Sequence, residues 1–220
     1  MKFTPRQYQI EGRDFLRSRR YALLGDAPGV GKTGQAILGI DPAWRVLVVC
    51  PASVKIQWQQ AFKDWIGVSA DIINADFSRL LASRVSISII NYDLMIREKY
   101  MSFLLRTMYD LTIFDEAHKL KSVTAKRTKV ALGKAGLLSR TKRIWFLTGT
   151  PIKNRPIDLY PILRSCAPEV LGKHNTYLKF AYRYCGAYQG QFGLNVLGAS
   201  NIDELRENLK GFMLRREKRD

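Results

Sequence analysis

Cysteine is scarce in this sequence: Cys50, Cys166 and Cys185 are odd in number and form no C-x-x-C pair. A disulfide-stapled secreted scaffold is thereby excluded, and because His118 and His174 complete no zinc spacing, so is a zinc module. The three thiols are expected to be reduced. No apolar stretch approaches the roughly 20 residues of a membrane span, and Met1-Lys2-Phe3-Thr4-Pro5 lacks the apolar core of a secretory signal. The expected location is the cytoplasm, or the nucleoid or nucleus, and the protein is not expected to be secreted. Internal repeats and low-complexity tracts are also missing, which excludes solenoids and disordered tails. Acidic residues are few: 19 Asp and Glu against 36 Lys and Arg leave +17 on 220 residues. Such a balance favours a polyanionic partner, nucleic acid above all. The length suits one α/β domain with an appendage rather than three domains.

What the sequence does contain is organised around Gly25-Asp26-Ala27-Pro28-Gly29-Val30-Gly31-Lys32-Thr33, placed between an apolar run, 21–24, and a helical pattern starting near Thr33. A strand, a glycine-rich turn and a helix in this order cradle phosphate. Gly29 and Gly31 let the backbone around Val30 approach an anion, and the helix behind them presents free N–H groups. Lys32 then reaches the β- and γ-phosphates, and Thr33 gives its hydroxyl to Mg²⁺. Asp26 stands where the strict pattern has its first glycine, so this is the looser form found in helicases. Upstream, Thr4-Pro5 signals a helix start, with Tyr8, Ile10, Phe15 and Leu16 able to share a face and Gln9 among them.

Downstream, short apolar runs alternate with helical stretches. Strands are expected at 46–50, 85–90, 111–114 and 143–147, and helices at 54–65, 94–106, 156–163 and 175–183. In the helix at 54–65, Ile56, Trp58, Phe62 and Trp65 are expected to pack into the core. The glycine-rich stretch 186–200 reads as irregular, and Asn201 as the cap of a last helix with Ile202, Leu205 and Leu209 on one face. This alternation marks a mainly parallel sheet covered by helices on both sides.

Asp115 and Glu116 end the third of these strands, in the sequence Asp115-Glu116-Ala117-His118, where ligands bind in open α/β sheets. Asp115 is expected to hold Mg²⁺, and Glu116 to orient or deprotonate the water that attacks the γ-phosphate. From Lys119 to Arg143 there are nine basic residues and no acidic one. A solvated helix face ordinarily mixes signs, so phosphate contacts by Lys119, Lys121, Lys126, Arg127 and Lys129 account for this run better. Thr148 and Thr150, at the end of the next strand, could sense the bound nucleotide.

Taken in order, these stretches resemble the first RecA-like lobe of a Swi/Snf-type superfamily-two DNA helicase or translocase. The resemblance is carried by Tyr8-Gln9 with Gly12, Asp26 to Thr33, Pro51-Ala52-Ser53 with Gln57-Trp58, and Asn91-Tyr92-Asp93. It continues through Asp115 to His118 with Leu120-Lys121, Leu147 to Pro151 with Asn154 and Leu159-Tyr160, and Leu214-Arg215-Arg216 with Lys218 and Asp220. It implies that Gln9 reads adenine, that His118 with Thr148 and Thr150 links nucleotide state to DNA, and that Ser53 and Lys55 join the DNA contacts. ATP and Mg²⁺ are the implied cofactors. The stretches 155–160, 183–185 and 198–201 resemble the annealing-helicase branch in particular. Ala27-Pro28 departs from the acidic residue and Met usual in the family, and Asn91 from a small hydroxyl residue.

The expected architecture is a RecA-like lobe over 1–165 and a helical appendage over 166–220 that leads to a second lobe, supplied by further sequence or by a partner. Two alternatives stand beside it: a clamp-loader-type AAA+ ATPase, and a nucleotide-gated DNA-binding module without turnover.

Overall fold

The computed structural model describes residues 3–74, 86–149, 155–191 and 193–216. Seven strands form one sheet in the order β3-β4-β2-β5-β6-β1-β9: β1 (Tyr21–Leu24), β2 (Val46–Cys50), β3 (Asp71–Ile72), β4 (Ile87–Asn91), β5 (Tyr109–Asp115), β6 (Thr141–Leu147) and β9 (Met213–Leu214). Every neighbouring pair is parallel. This is the RecA-like α/β fold expected from the sequence.

Because side chains alternate along a strand, each central strand feeds two cores. Val46, Val48 and Cys50 face one side with Leu24, Ile113 and Trp145; Leu47 and Val49 face the other with Leu23, Phe114 and Phe146. Helices α1 (Gln7–Arg17), α2 (Lys32–Leu38) and α3 (Lys55–Ile66) cover the first side with Leu16, Ile37, Trp58 and Phe62. The second side is covered by α4 (Tyr92–Met95), α5 (Glu98–Arg106), α6 (Lys126–Leu132), α7 (Tyr160–Cys166), α8 (Pro168–Leu171), α9 (Tyr177–Tyr184) and α10 (Ile202–Leu209). The three cysteines are free and buried, and burial pushes the thiols of Cys50 and Cys166 up to about 12 and that of Cys185 to about 11. No helix among the described residues is long and apolar enough to cross a membrane.

Several local expectations change. The helix expected over 94–106 is two, α4 and α5, separated by Arg97 in an extended conformation. On one continuous helix Met95 and Tyr100 would point about 140° apart, whereas the break buries both in the same core. The strand expected over 85–90 is Ile87–Asn91, and Val85 lies outside the described residues. Ile56 is 74% exposed, so only Trp58 and Phe62 of the apolar set on α3 are buried. The stretch read as irregular holds a hairpin, β7 (Tyr188–Gly190) against β8 (Gly193–Asn195). Asn201 does precede α10, but its side chain donates to the Arg183 carbonyl at 2.7 Å instead of capping the helix. Strands β3 and β9, each two residues long, have no counterpart in the sequence pattern.

Candidate nucleotide site

Strand order places the site. β6 lies between β5 and β1, so the chain leaving β1 toward the phosphate loop and the chain leaving β5 at Asp115 emerge two strand spacings apart, about 10 Å. The end of β6 fills the gap: Thr148 N donates to Leu24 O at 3.1 Å, and a Cβ on Gly149 would sit 3.0 Å from Pro28 Cγ. A cavity of about 380 Å³ results. Gly29, Gly31, Lys32 and Thr33 line it from one side, Asp115 and Glu116 from another, and Trp58 of α3 from a third.

Within the loop, Gly29 and Gly31 have φ of 82° and 74°, which only glycine adopts without strain. At Gly31 there is a steric reason too, since a Cβ would lie 2.6 Å from Gln9 Nε2. Gln9 is therefore not a solvated helix residue. It is 7% exposed, packed over the loop, with its Oε1 accepting from Arg6 N at 2.9 Å. Lys32 Nζ donates to the carbonyls of Asp26 at 2.8 Å and Ala27 at 3.1 Å. Burial lowers its pKa, against the opposing charges of Glu116, Asp26 and Asp115.

Asp115 is held by three neighbours. Trp58 Nε1 donates to Oδ2 at 2.8 Å, Glu116 N donates to Oδ1 at 3.0 Å, and Tyr92 Oη donates to the backbone carbonyl at 2.8 Å. Burial raises its pKa, and the bond from Trp58 works against that rise. Glu116 has φ 52° and ψ 52°, a left-handed conformation uncommon for a residue with a Cβ. Its Oε2 lies 3.1 Å from His118 Nδ1. His118 thus reaches the acidic pair. Thr148 is buried at the end of β6, and Thr150 lies outside the described residues.

The basic run does not form one surface. Lys119 belongs to the turn at Ala117–Leu120, and Lys121 follows it, at the end of the sheet that carries Asp115. Lys126, Arg127 and Lys129 lie on α6, which the Thr128 hydroxyl ties to that turn by donating to the Leu120 carbonyl at 3.2 Å. Lys142 and Arg143 lie near the start of β6, five and four residues before the Leu147 that pairs with Asp115, so they sit about 13 to 17 Å from it, toward the opposite end. There Lys142 pairs with Asp110 at 2.7 Å, and Arg143 lies over the Trp44 ring. Ser53 is exposed and Lys55 half-buried just after β2, on the Asp115 end, with Lys55 Nζ 3.3 Å from Asn74 Oδ1.

Among the described residues no cluster of three His, Cys, Asp or Glu could hold a metal ion. Mg²⁺ in a nucleotide site takes one or two protein ligands together with phosphates and water. Thr33 and Asp115, on the same cavity, fit that requirement.

Comparison with known proteins places the chain in a family. The chain is 34% identical over 218 residues to a Xenopus tropicalis SWI/SNF-related matrix-associated actin-dependent regulator of chromatin subfamily A-like protein 1, covering 96% of this chain and 22% of that protein. It is 32% identical over 226 residues to the Bos taurus DNA annealing helicase and endonuclease ZRANB3, covering 96% of this chain and 20% of that one. The chain thus spans about a fifth of the length of these curated relatives. Among solved structures it superposes on the Sulfolobus solfataricus SWI2/SNF2 ATPase core in complex with dsDNA with a TM-score of 0.79 and 27% identity, over 100% of this chain and 46% of that one. A family profile described as SNF2-related domain matches residues 8–220, and the chain belongs to that family.

Proposed function

We propose that this chain is the nucleotide-binding lobe of an ATP-dependent DNA translocase. The observation that carries the reading is the single cavity onto which Gly29, Gly31, Lys32 and Thr33 open together with Asp115 and Glu116. Bound ATP–Mg²⁺ supplies the phosphoryl group. Gln9, fixed over Gly31, faces the base; the loop N–H groups around Val30 and the Lys32 ammonium hold the phosphates; Thr33 and Asp115 hold the metal. Glu116 orients and deprotonates the attacking water, and His118, on its carboxylate, passes the state of the site toward Thr148 and Thr150. Residues 1–165 carry this machinery, and 166–220 are accessory to it except at β9, which returns to the sheet.

DNA lies across the end of the sheet bearing Ser53, Lys55, Lys119, Lys121, Lys126, Arg127 and Lys129. That assignment is supported by the net charge of +17 and by the double-stranded DNA of the solved ATPase core. Turnover requires a second RecA-like lobe, supplied in cis by further sequence or in trans, because charge stabilisation by an arginine finger contributes about 10³ to 10⁵ in rate. The test is phosphate release, with and without DNA, by the 220-residue chain and by a longer chain that includes the second lobe. Weak ATP–Mg²⁺ binding and negligible DNA-stimulated release by the short chain, with DNA-dependent release by the long one, are expected. No DNA-stimulated release by either, with ATP still bound, would favour a binding module that does not turn over.

A further inference from the structure

Asp26 is a carboxylate with no exposed surface, and its partner comes from the far end of the chain. Arg216 donates to it three times: through its backbone N to Oδ1 at 2.9 Å, Nε to Oδ1 at 3.2 Å and Nη2 to Oδ2 at 2.6 Å. Gln35 Nε2 also donates to Oδ2 at 3.2 Å. The same guanidinium donates from Nη1 to the Tyr8 carbonyl and from Nη2 to Gln35 Oε1 at 2.7 Å. Gly12 makes room for the arrangement, since a Cβ there would lie 1.7 Å from Gln35 Oε1 and 2.9 Å from Arg216 Nη2.

The backbone continues the tie. Beyond the β1–β9 ladder, Gly25 N donates to Leu214 O at 2.8 Å and Ala27 N to Arg216 O at 3.0 Å. The first half of the phosphate loop is therefore built against residues 214–216. Two consequences follow. The carbonyls of Asp26 and Ala27, on which Lys32 Nζ rests, are fixed through Arg216, and α1, which lays Gln9 over Gly31, is fixed through the Tyr8 carbonyl.

We propose that Arg216 is a positioning residue for the nucleotide: one side chain sets the phosphate loop and the base-side helix at a fixed separation before ligand arrives. It touches neither phosphate nor base; it acts through Asp26 and Tyr8. A guanidinium suits the place because a planar fork grips both carboxylate oxygens and a carbonyl at once, which an ammonium cannot. The proposal rests on the nucleotide-site reading above.

The experiment compares wild type, Arg216→Lys, Arg216→Ala and the pair Asp26→Asn/Arg216→Met, which leaves no unpaired buried charge. Three quantities are read: the Kd for ATP–Mg²⁺, the Tm, and amide exchange at 25–33 without nucleotide. Arg216→Ala is expected to weaken binding by about tenfold or more, on the scale of removing a bidentate charged pair, and Arg216→Lys to weaken it at little cost in Tm. The pair is expected to regain the wild-type Tm while keeping the weakened affinity. Wild-type affinity in Arg216→Lys, or affinity that tracks Tm through the whole series, overturns the proposal and leaves Arg216 a purely structural tie. If the wild-type chain binds no ATP, the nucleotide reading itself fails. Faster exchange at 25–33 in Arg216→Lys then still supports the loop tie, and unchanged exchange overturns it.

Discussion

Trp58 Nε1 donates a 2.8 Å hydrogen bond to Asp115 Oδ2, joining the helix after β2 to the carboxylate at the end of β5. The indole is 1% exposed and packs on Phe62, so its bulk belongs to the core while its N–H belongs to the site. Burial pushes the Asp115 pKa up, and this bond opposes the push. In the proposed reading Asp115 holds Mg²⁺ as the carboxylate, and Trp58 would then extend the pH range over which the metal can be held.

Trp58→Phe keeps the packing and removes the donor. The Asp115 pKa is then expected to rise further, so the acid limb of Mg²⁺-dependent ATP binding moves to higher pH. The sign for stability is the same. A carboxyl with a raised folded-state pKa retains its proton where the unfolded chain has lost it, so stability falls as pH rises from 3.8 toward the folded-state value. Losing a hydrogen bond to a charged group is expected to cost about 1.5 to 3 kcal/mol near neutral pH, and less in acid. A binding profile with an unmoved acid limb would detach Trp58 from the metal site and leave it as packing alone.

The division of the basic run gives a second prediction with its own control. Removing one lysine that neutralises a DNA phosphate lowers the log–log salt slope of binding by about one unit. Lys121→Ala and Lys126→Ala, at the Asp115 end, are expected to flatten the slope by about that much each, whatever the DNA sequence. Lys142→Ala, at the opposite end and paired with Asp110, is expected to leave it unchanged. Filter-binding or anisotropy titrations between low and moderate salt measure all three. Equal flattening by Lys142→Ala would mean that net charge, not a located surface, governs binding.

How much was legible in the sequence depended on how far each relation reaches along the chain. The phosphate loop and Asp115-Glu116 could be read because phosphate and metal chemistry demand fixed residue types at short offsets, and the strands because buried parallel strands are continuous apolar runs. Gln9 was legible only beside the loop downstream of it. The tie between Asp26 and Arg216 spans 190 positions, and the Trp58 bond to Asp115 spans 57; no local pattern announces either. The run of nine basic residues is continuous in the sequence, but a linear reading does not show that by β6 the chain has crossed to the other end of the sheet, where Lys142 pairs with Asp110. β9 escaped because two residues carry no periodicity, and the break between α4 and α5 because neither Gly nor Pro marks it.

Glu116 supplies the last prediction, because its backbone and its side chain make opposite demands. At φ 52° and ψ 52° a residue with a Cβ is strained by about 1 to 2 kcal/mol relative to glycine. The carboxylate is nonetheless placed on the cavity, with His118 Nδ1 at 3.1 Å from Oε2. That pair is well exposed on both sides and contributes little to stability. Glu116→Gly is therefore expected to stabilise the fold by about 1 kcal/mol, a rise in Tm of about 2 to 4 °C for a chain of this size. In the two-lobed protein the same change is expected to lower turnover by about 10²-fold or more through loss of the base. Glu116→Gln separates the two effects: turnover falls as far, but the strained backbone keeps its Cβ and the Tm does not gain. Thermal melts of the three proteins, set beside their rates of phosphate release, decide the matter. A Glu116→Gly protein no more stable than Glu116→Gln would show that the left-handed turn holds no strain, and undiminished release by Glu116→Gln would remove this carboxylate from the chemistry.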